Sequence, residues 1–530
     1  MFQPVRWIAN PHLRPDYRGP VAVPFVAFGD LDTASPMVER FAAIARATPG
    51  APVIVDSMGS LSYAAMLDAV AGLSALLRAA PTRSPVGILL DNDRFYVIAV
   101  FACLAAGRLS VLLEPASPDA RNAGIAAATG VDTVLTKSAI AATIEWPGVT
   151  AIVADFICKT AELPTDMLDL DAPAFILSTS GSSGQPKPIV HSQRTLLNWV
   201  RMKTDAQHLN ERDRVLCLSS MSSLGGIVPL IGYPQIGASQ QMLDLKRVGL
   251  SGLIATLKAE PITIIRAAPS LMRSLAALPD AAAIMANLRG VQTYGEPLMK
   301  TDVAALRRVL PPACTVGNFY GSTESSGLMW FASLDDDYDP ARVPAGVLMP
   351  NTEAAIIAED GTDCARGETG ELVIRSRYNA LGEWQNGAFV PGRLLPDPNA
   401  PDMRIFRTGD IATCSEDGVF VVLGRKDRMI KINGQRVEPG EVEHVLEKLD
   451  AVARAEVVVI KKDTGNSMVA FVIPVSDSVA DLPALCRAAI RAALPAYMVP
   501  SRILPIDVIP TLPSGKTDIQ ALSALAGQSR

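Results

Sequence analysis

Along the first part of the chain the apolar positions switch repeatedly between helical spacing and short unbroken runs. Residues 36–46 and 62–78 repeat at three and four, which predicts helices, while the runs 86–90 and 109–113 predict short buried strands with a helix, 94–106, between them. Strand, helix and strand in that order pack as a parallel pair, so the expected class is α/β. The rhythm resumes with strands over 215–218, 262–266, 291–294 and 315–319, separated by helical stretches such as 251–259 and 300–309. Open parallel sheets bind ligands beyond the carboxyl ends of their strands, so the loops after 174–177 and 315–319 are expected to face one cleft.

From about Gly346 the texture changes. Short runs at 354–357, 371–374 and 419–423, broken by Gly and Asp turns, predict a small β subdomain over about 346–424. Residues 381–402, rich in Pro, Gly and Asn, read as a long surface excursion. A second α/β unit follows over 425–530. Its helix 438–449 opens on Pro439 with Glu441 and Glu443 in the first turn, as the helix dipole favours, and is followed by strands 455–461 and 468–474 and helix 482–494. At 530 residues the chain exceeds one ordinary core, which fits a large domain, 1–424, and a small one, 425–530.

Composition narrows the partners. With 49% hydrophobic and 19% charged residues the chain has enough apolar surface to fold, and a net charge of -6 gives no expectation of nucleic-acid binding. The longest apolar run, 96–107, is flanked by Arg94 and Arg108 and is shorter than the roughly 20 residues of a spanning helix, so no membrane partner is expected. Arg6, His12, Arg14, Asp16 and Arg18 interrupt any leader pattern, and a cytoplasmic location is expected. Seven widely spaced cysteines and four histidines predict reduced, mostly buried thiols, with neither a disulfide framework nor an imidazole metal cage.

The chemistry concentrates first in Ser178-Thr179-Ser180-Gly181-Ser182-Ser183-Gly184-Gln185-Pro186-Lys187. Glycines let backbone N–H groups converge on a phosphate, hydroxyls add donors and the lysine adds mobile positive charge. The Walker pattern is excluded, because Gln185 and Pro186 separate Gly184 from Lys187. Further elements follow in order: Tyr320-Gly321-Ser322-Thr323-Glu324, Arg407-Thr408-Gly409-Asp410, Gly424-Arg425-Lys426-Asp427-Arg428 and Pro513-Ser514-Gly515-Lys516.

In this order and at these spacings the elements resemble the superfamily of adenylate-forming, AMP-binding enzymes. That superfamily includes acyl-CoA synthetases, adenylation domains of nonribosomal peptide synthetases and beetle luciferase. The resemblance runs from Leu61-Ser62-Tyr63 to Lys516. It implies a large domain of βαβ-wound sheets with a small mobile C-terminal domain, ATP and Mg²⁺ as cofactors, and a carboxylic acid as substrate. Thr179, Ser180, Gly181, Ser182, Ser183, Gly184 and Lys187 would then surround the β- and γ-phosphates, although Pro188 stands where the family usually has glycine. Gly295, Glu296, Pro297, Tyr320, Gly321 and Thr323 would contact the nucleotide, Glu324 would hold Mg²⁺, and Asp410 with Arg425 would hold the ribose or a phosphate. Lys516 would bridge the carboxylate and the α-phosphate. The implied catalytic set is therefore Lys187, Thr323, Glu324 and Lys516. With Asp427 as hinge, the small domain would rotate between half-reactions, swapping Lys516 for the Gly434-Gln435-Arg436 loop.

Substrate and acceptor are less sharply implied. Amino-acid-activating relatives carry Asp where this chain has Met221, which disfavours an α-amino acid, and Ser222 stands where acyl-CoA synthetases often carry His. The remaining pocket positions by motif alignment are Gly225, Arg266, Gln292, Tyr294, Phe319, Gly327 and Leu328. Arg266 would either meet a second carboxylate or polar end of the substrate, or pair with a neighbouring acid. A small polar or hydroxylated acid is the expectation. The acceptor is the phosphopantetheine thiol of a carrier protein or free CoA. Ser376-Arg377-Tyr378, Leu381-Gly382 and Tyr497-Met498-Val499-Pro500-Ser501 resemble carrier-loading domains, and with fourteen residues after Lys516 the carrier is expected in trans.

Overall fold

The short apolar runs form parallel strands that divide between two sheets. One sheet has nine strands in the order Val347–Leu348, Ser326–Phe331, Thr315–Gly321, Gly290–Tyr294, Ile264–Ala267, Arg214–Cys217, Ser239–Gln241, Pro52–Asp56 and Gly59–Ser62. The other has eight: Ala388–Val390, Gly382–Gln385, Pro186–Ser192, Pro173–Ser180, Ser110–Leu112, Val86–Leu89, Thr133–Thr136 and Thr150–Val153. This computed structural model describes residues 6–9, 13–29, 34–115, 117, 119–154, 162–163, 168–180, 186–334, 342–385, 387–426, 430–432, 435–437, 439–462, 465–476, 481–494, 498–512 and 516–528.

The helix Arg94–Ala105 is buried at every position, which is why its apolar residues show no one-sided period. It joins residues of both sheets, among them Ile54, Ile88, Phe175 and Phe331, in one apolar cluster. Helices Gln193–Ala206 and Leu224–Gly232 belong to the same layer through Leu197, Val200, Ile227 and Val228. Five of the six described cysteines are buried, and all six are free thiols.

A third sheet orders Glu353–Ile357, Gly370–Ser376, Ala400–Cys414 and Leu394–Asp397, with Phe420–Arg425 also paired to Ala400–Cys414. Gly346 fastens it to the nine-stranded sheet by exchanging backbone hydrogen bonds with Phe420, at 3.1 and 2.8 Å. Its φ is +111°, and an added Cβ would fall 1.9 Å from the Met329 carbonyl oxygen, so only glycine fits.

The surface excursion expected over 381–402 is corrected by this topology. It contains the strands Gly382–Gln385, Ala388–Val390 and Leu394–Asp397, and the first two extend the eight-stranded sheet. Two apolar anchors within the polar stretch, Leu381 and Trp384, pack on the cluster that includes Val190, Ile176 and Ala126. A side chain at 382 would meet the Val390 carbonyl at 2.1 Å, so Gly382 permits the tight pairing that its composition disguised.

The C-terminal part is a sheet of Val452–Lys462, Gly465–Pro474 and Arg502–Pro505, with helices Pro439–Glu447, Leu482–Ala493 and Ile519–Gln528. Arg342, nearly buried, connects it to the rest. Its Nη1 donates to the Leu423 carbonyl at 3.1 Å and its Nη2 meets Glu447 Oε2 at 3.3 Å.

Candidate nucleotide and acid site

The Ser- and Gly-rich loop closes a β-hairpin. Strands Pro173–Ser180 and Pro186–Ser192 pair antiparallel, with Lys187 opposite Thr179 and Pro188 opposite Ser178. A Walker loop leads from strand to helix, whereas this one leads from strand to strand. Lys187 is half-buried on the return strand. Gly181, Ser182, Ser183 and Gly184 lie outside the described residues, as do the side chains of Thr179 and Ser180.

The second motif is a tight turn between Thr315–Gly321 and the antiparallel Ser326–Phe331, closed by Ser322 N–H donating to the Ser325 carbonyl at 2.7 Å. Thr323 and Glu324 sit half-buried at its tip, and Gly321 is exposed. Two successive amides bring the turn beside the hairpin: Ala380 N–H donates to the Glu324 carbonyl at 2.9 Å and Leu381 N–H to the Val190 carbonyl at 2.8 Å. Next to Val190, His191 is completely buried and packs edge-on against Trp199 with ring centroids 5.1 Å apart. Burial drives its pKa down to about 3, against a smaller opposing effect of the nearby Thr323 backbone, so the ring is neutral. The turn and the hairpin are therefore neighbours in space.

Asp410 enters from the third sheet. At Thr408-Gly409 the structure has a bulge inside the strand Ala400–Cys414, where the register jumps between Glu371↔Ile411 and Val373↔Arg407. Gly409, at φ +72°, makes the kink. Asp410 N–H then donates to Thr408 Oγ1 at 2.9 Å, and the carboxylate accepts from the Tyr320 hydroxyl and from Arg425 Nη1, the latter at 3.1 Å. Burial, then the adjacent Asp410 charge, pushes the Tyr320 phenol well above its ordinary pKa and keeps it a donor. Tyr320, Asp410 and Arg425 thus form one unit.

Gly295, at φ +82°, and Pro297 are exposed just beyond the strand Gly290–Tyr294. Glu296 turns back to accept from Ser270 N–H at 3.1 Å and Ser270 Oγ at 3.0 Å, securing the start of helix Pro269–Ala276.

Most of the expected acid pocket does converge. Register sets Cys217, Arg266, Gln292 and Gly317 in one row across four strands, with Tyr294 and Phe319 two residues on and therefore on the same face. Arg266 Nη1 donates to the Tyr233 hydroxyl at 3.2 Å, and its guanidinium lies 5.5 Å from the Tyr294 ring centroid. A Cβ on Gly225 would lie 2.8 Å from Ser219 Oγ and 3.1 Å from Tyr294. Met221 is buried, its N–H bonded to Asn92 Oδ1 at 3.2 Å, and Ser222 Oγ donates to Glu114 at 3.0 Å. Gly327 and Leu328 are corrections. Leu328 pairs with Tyr320, one residue out of phase with Phe319, and its side chain belongs to the third-sheet cluster with Ile374 and Phe420. A Cβ at Gly327 would meet Thr352 and Ile374 on that side.

Three participants escaped the sequence reading. Glu114 also accepts from Ser220, and its place just past the strand Ser110–Leu112 is the carboxyl-end signal that would have found it. Lys203 and Tyr233 lie on helical elements with no motif around them.

Lys516 is exposed on the C-terminal unit, where its carbonyl accepts from Leu512 N–H at 2.7 Å. Thr517 ties that turn to the strand Val452–Lys462 through Glu456 at 3.1 Å and Arg454 at 3.0 Å. Asp427, Gly434 and Pro513, Ser514 and Gly515 lie outside the described residues. Among the described residues no group of three or more His, Cys, Asp or Glu is placed to hold a metal ion, and no helix is long and apolar enough to cross a membrane.

Two wound sheets, a strand-to-strand phosphate-type loop, and a Tyr–Asp–Arg unit beside a Thr-Glu turn define an adenylate-forming ligase. The chain belongs to the AMP-binding enzyme family: the family signature matches residues 41–384, and that of the AMP-binding enzyme C-terminal domain matches 441–516. It is similar to a plipastatin synthase subunit of Bacillus subtilis (strain 168), with 31% identity over 508 residues, 93% of this chain and 19% of that protein. The chain thus spans about a fifth of that relative's length. In fold it is similar to Klebsiella oxytoca NpsA in complex with 3-hydroxyanthranilyl-AMSN, at TM-score 0.81 and 20% identity over 93% of this chain and 100% of the other. ATP-bound MatB from Rhodopseudomonas palustris gives TM-score 0.78 and 18% identity over 93% of this chain and 99% of that one.

Proposed function

We infer that this ligase joins a carboxylic acid to ATP as an acyl adenylate and then passes the acyl group to the phosphopantetheine thiol of a carrier protein. In the first half-reaction a carboxylate oxygen attacks the α-phosphorus, the bond to the β-phosphate oxygen breaks, and pyrophosphate leaves. An anion attacks an anion, so the residues must supply positive charge and fixed donors. Lys187 neutralises the departing phosphates. Asp410, oriented by Tyr320 and Arg425, accepts from the ribose hydroxyls. Lys516 binds both reacting anions once the C-terminal unit closes.

Glu324 suits Mg²⁺ on the chemistry of the site: one half-buried carboxylate on a turn beside the phosphate hairpin offers a hard oxygen donor where phosphates and water complete the set. Bound there, the ion would offset charge on the phosphate oxygens. In the second half-reaction the thiol sulfur attacks the acyl carbon, AMP departs with the shared oxygen, and the thiol proton is released. Rotation about Asp427 exchanges Lys516 for residues 434–436 between the two steps.

The observation that carries the first half is the convergence of the Lys187 hairpin, the Glu324 turn and the Tyr320–Asp410–Arg425 unit. Carrier transfer is supported by the alignment of 93% of the chain with part of a far longer peptide synthase. The test has two arms. Pyrophosphate exchange into ATP across a panel of acids reads the adenylate, and AMP release with a holo-carrier against free CoA reads the acceptor; faster release with CoA would overturn the carrier assignment.

A further inference from the structure

Arg266 is 2% exposed, yet no carboxylate among the described residues pairs with it. Other buried arginines have two nitrogens engaged. Arg94 pairs with Asp56 through Nε and Nη2, the latter at 2.5 Å, and Arg108, whose Nε likewise lacks a partner, gives Nη1 and Nη2 to the Leu77 and Ser84 carbonyls at 3.0 and 2.7 Å. Arg266 has the Tyr233 hydroxyl on Nη1 and nothing on Nε, although Nε belongs to the edge that grips a carboxylate with two parallel bonds. Beside it in register, Gln292 is equally buried, and both its amide oxygen and nitrogen lack partners.

A second cation lies on a neighbouring element. Lys203 is on the helix Gln193–Ala206, which packs through Val200 on the helix Leu224–Gly232 that carries Gly225, and it is half-buried and forms no ion pair among the described residues. Burial, and then the like charge of Arg266, pushes its pKa down to about 7. Two cations and an unsatisfied amide without a counter-ion are costly unless a ligand completes them. Arg266 and Gln292 share the row two residues before Tyr294, the residue that Gly225 adjoins.

We propose that the acid activated here is a dicarboxylic acid, whose second carboxylate is held by the open edge of Arg266 with Lys203 as a second countercharge and Gln292 as a donor. This rests on the adenylation reading, and it makes Arg266 a specificity residue in place of a strand-end ion pair. Recognition by buried polar groups rejects an analogue that leaves them unpaired far more strongly than a methylene slot rejects a wrong length.

The test compares diacids with monoacids of matched skeleton: succinate with butyrate, glutarate with valerate, adipate with hexanoate, isophthalate with benzoate. Both pyrophosphate exchange and direct calorimetric binding are measured. At least one diacid is expected to exceed its partner by roughly a hundredfold or more in kcat/KM. Arg266→Gln and, separately, Lys203→Met should narrow that ratio at least about tenfold, a readout that partial misfolding does not mimic. Exchange with monoacids at equal or higher efficiency in every pair would overturn the inference and leave adenylation standing. Selective binding of a diacid without exchange would support the inference and count against adenylation. Absence of diacid-selective binding and exchange alike overturns it.

Discussion

The Tyr320 hydroxyl donates to Asp410 Oδ2 although 90 residues separate the two, joining the end of a parallel strand to a bulge in another sheet. Arg425 occupies the second carboxylate oxygen, so the acceptor is aimed as well as charged. Asp410→Asn should raise the KM for ATP roughly ten- to hundredfold, the worth of one or two charged hydrogen bonds. Exchange kinetics with varied ATP would show it; an unchanged KM would remove Asp410 from the nucleotide site.

Lys516→Ala should lower the rate of adenylate formation by about 10²–10³, as loss of a group that stabilises charge in the transition state does. Thioester formation from supplied acyl adenylate should fall far less. Equal losses in both assays would mean that the lysine serves folding or docking instead.

Glu324→Gln keeps the turn and removes the charge. The Mg²⁺ concentration for half-maximal exchange should rise roughly ten- to hundredfold. A variant with the wild-type Mg²⁺ curve and slower turnover would place the metal elsewhere.

His191 makes stability depend on acid. Its folded pKa of about 3 lies below the ordinary 6.5, so as pH falls the unfolded chain takes up the proton first. Its contribution is whole above about pH 6.5 and is lost at about 1.4 kcal/mol per pH unit below that, until about pH 3. Urea unfolding at pH 7 and pH 5 should show a drop that is smaller in His191→Phe by about 2 kcal/mol. Matching slopes in the two proteins would contradict the neutral, sealed ring.

Gly346→Ala should cost at least about 3 kcal/mol, since the backbone conformation and the Met329 carbonyl both exclude a side chain. A melting temperature within a degree or two of wild type would show that the link between the two sheets adapts.

Strands such as Val86–Leu89 and Ser110–Leu112 were legible because strands buried on both faces read as short, nearly unbroken apolar runs. The hairpin within 381–402 was not, because two anchors, Leu381 and Trp384, hold a stretch otherwise made of turn formers. Lys187, Asp410 and Glu324 stood out through the order of their motifs. Gly327 and Leu328 were misassigned because motif alignment carries no phase, and a shift of one residue sends a strand side chain to the opposite face. Lys203 was invisible for a related reason. On an amphipathic helix a lysine reads as solvent-facing, and only the fold reveals that burial and the like charge of Arg266 lower its pKa.

Arg342 reaches across the crossover, one arm on Leu423 just before it and the other on Glu447 after it. On the rotation inferred above, a swing of the C-terminal sheet would have to loosen at least one arm, which would make this guanidinium a catch. Cutting it would remove the side-chain link between the strand Phe420–Arg425 and the helix Pro439–Glu447 while leaving Lys187, Asp410 and Glu324 untouched.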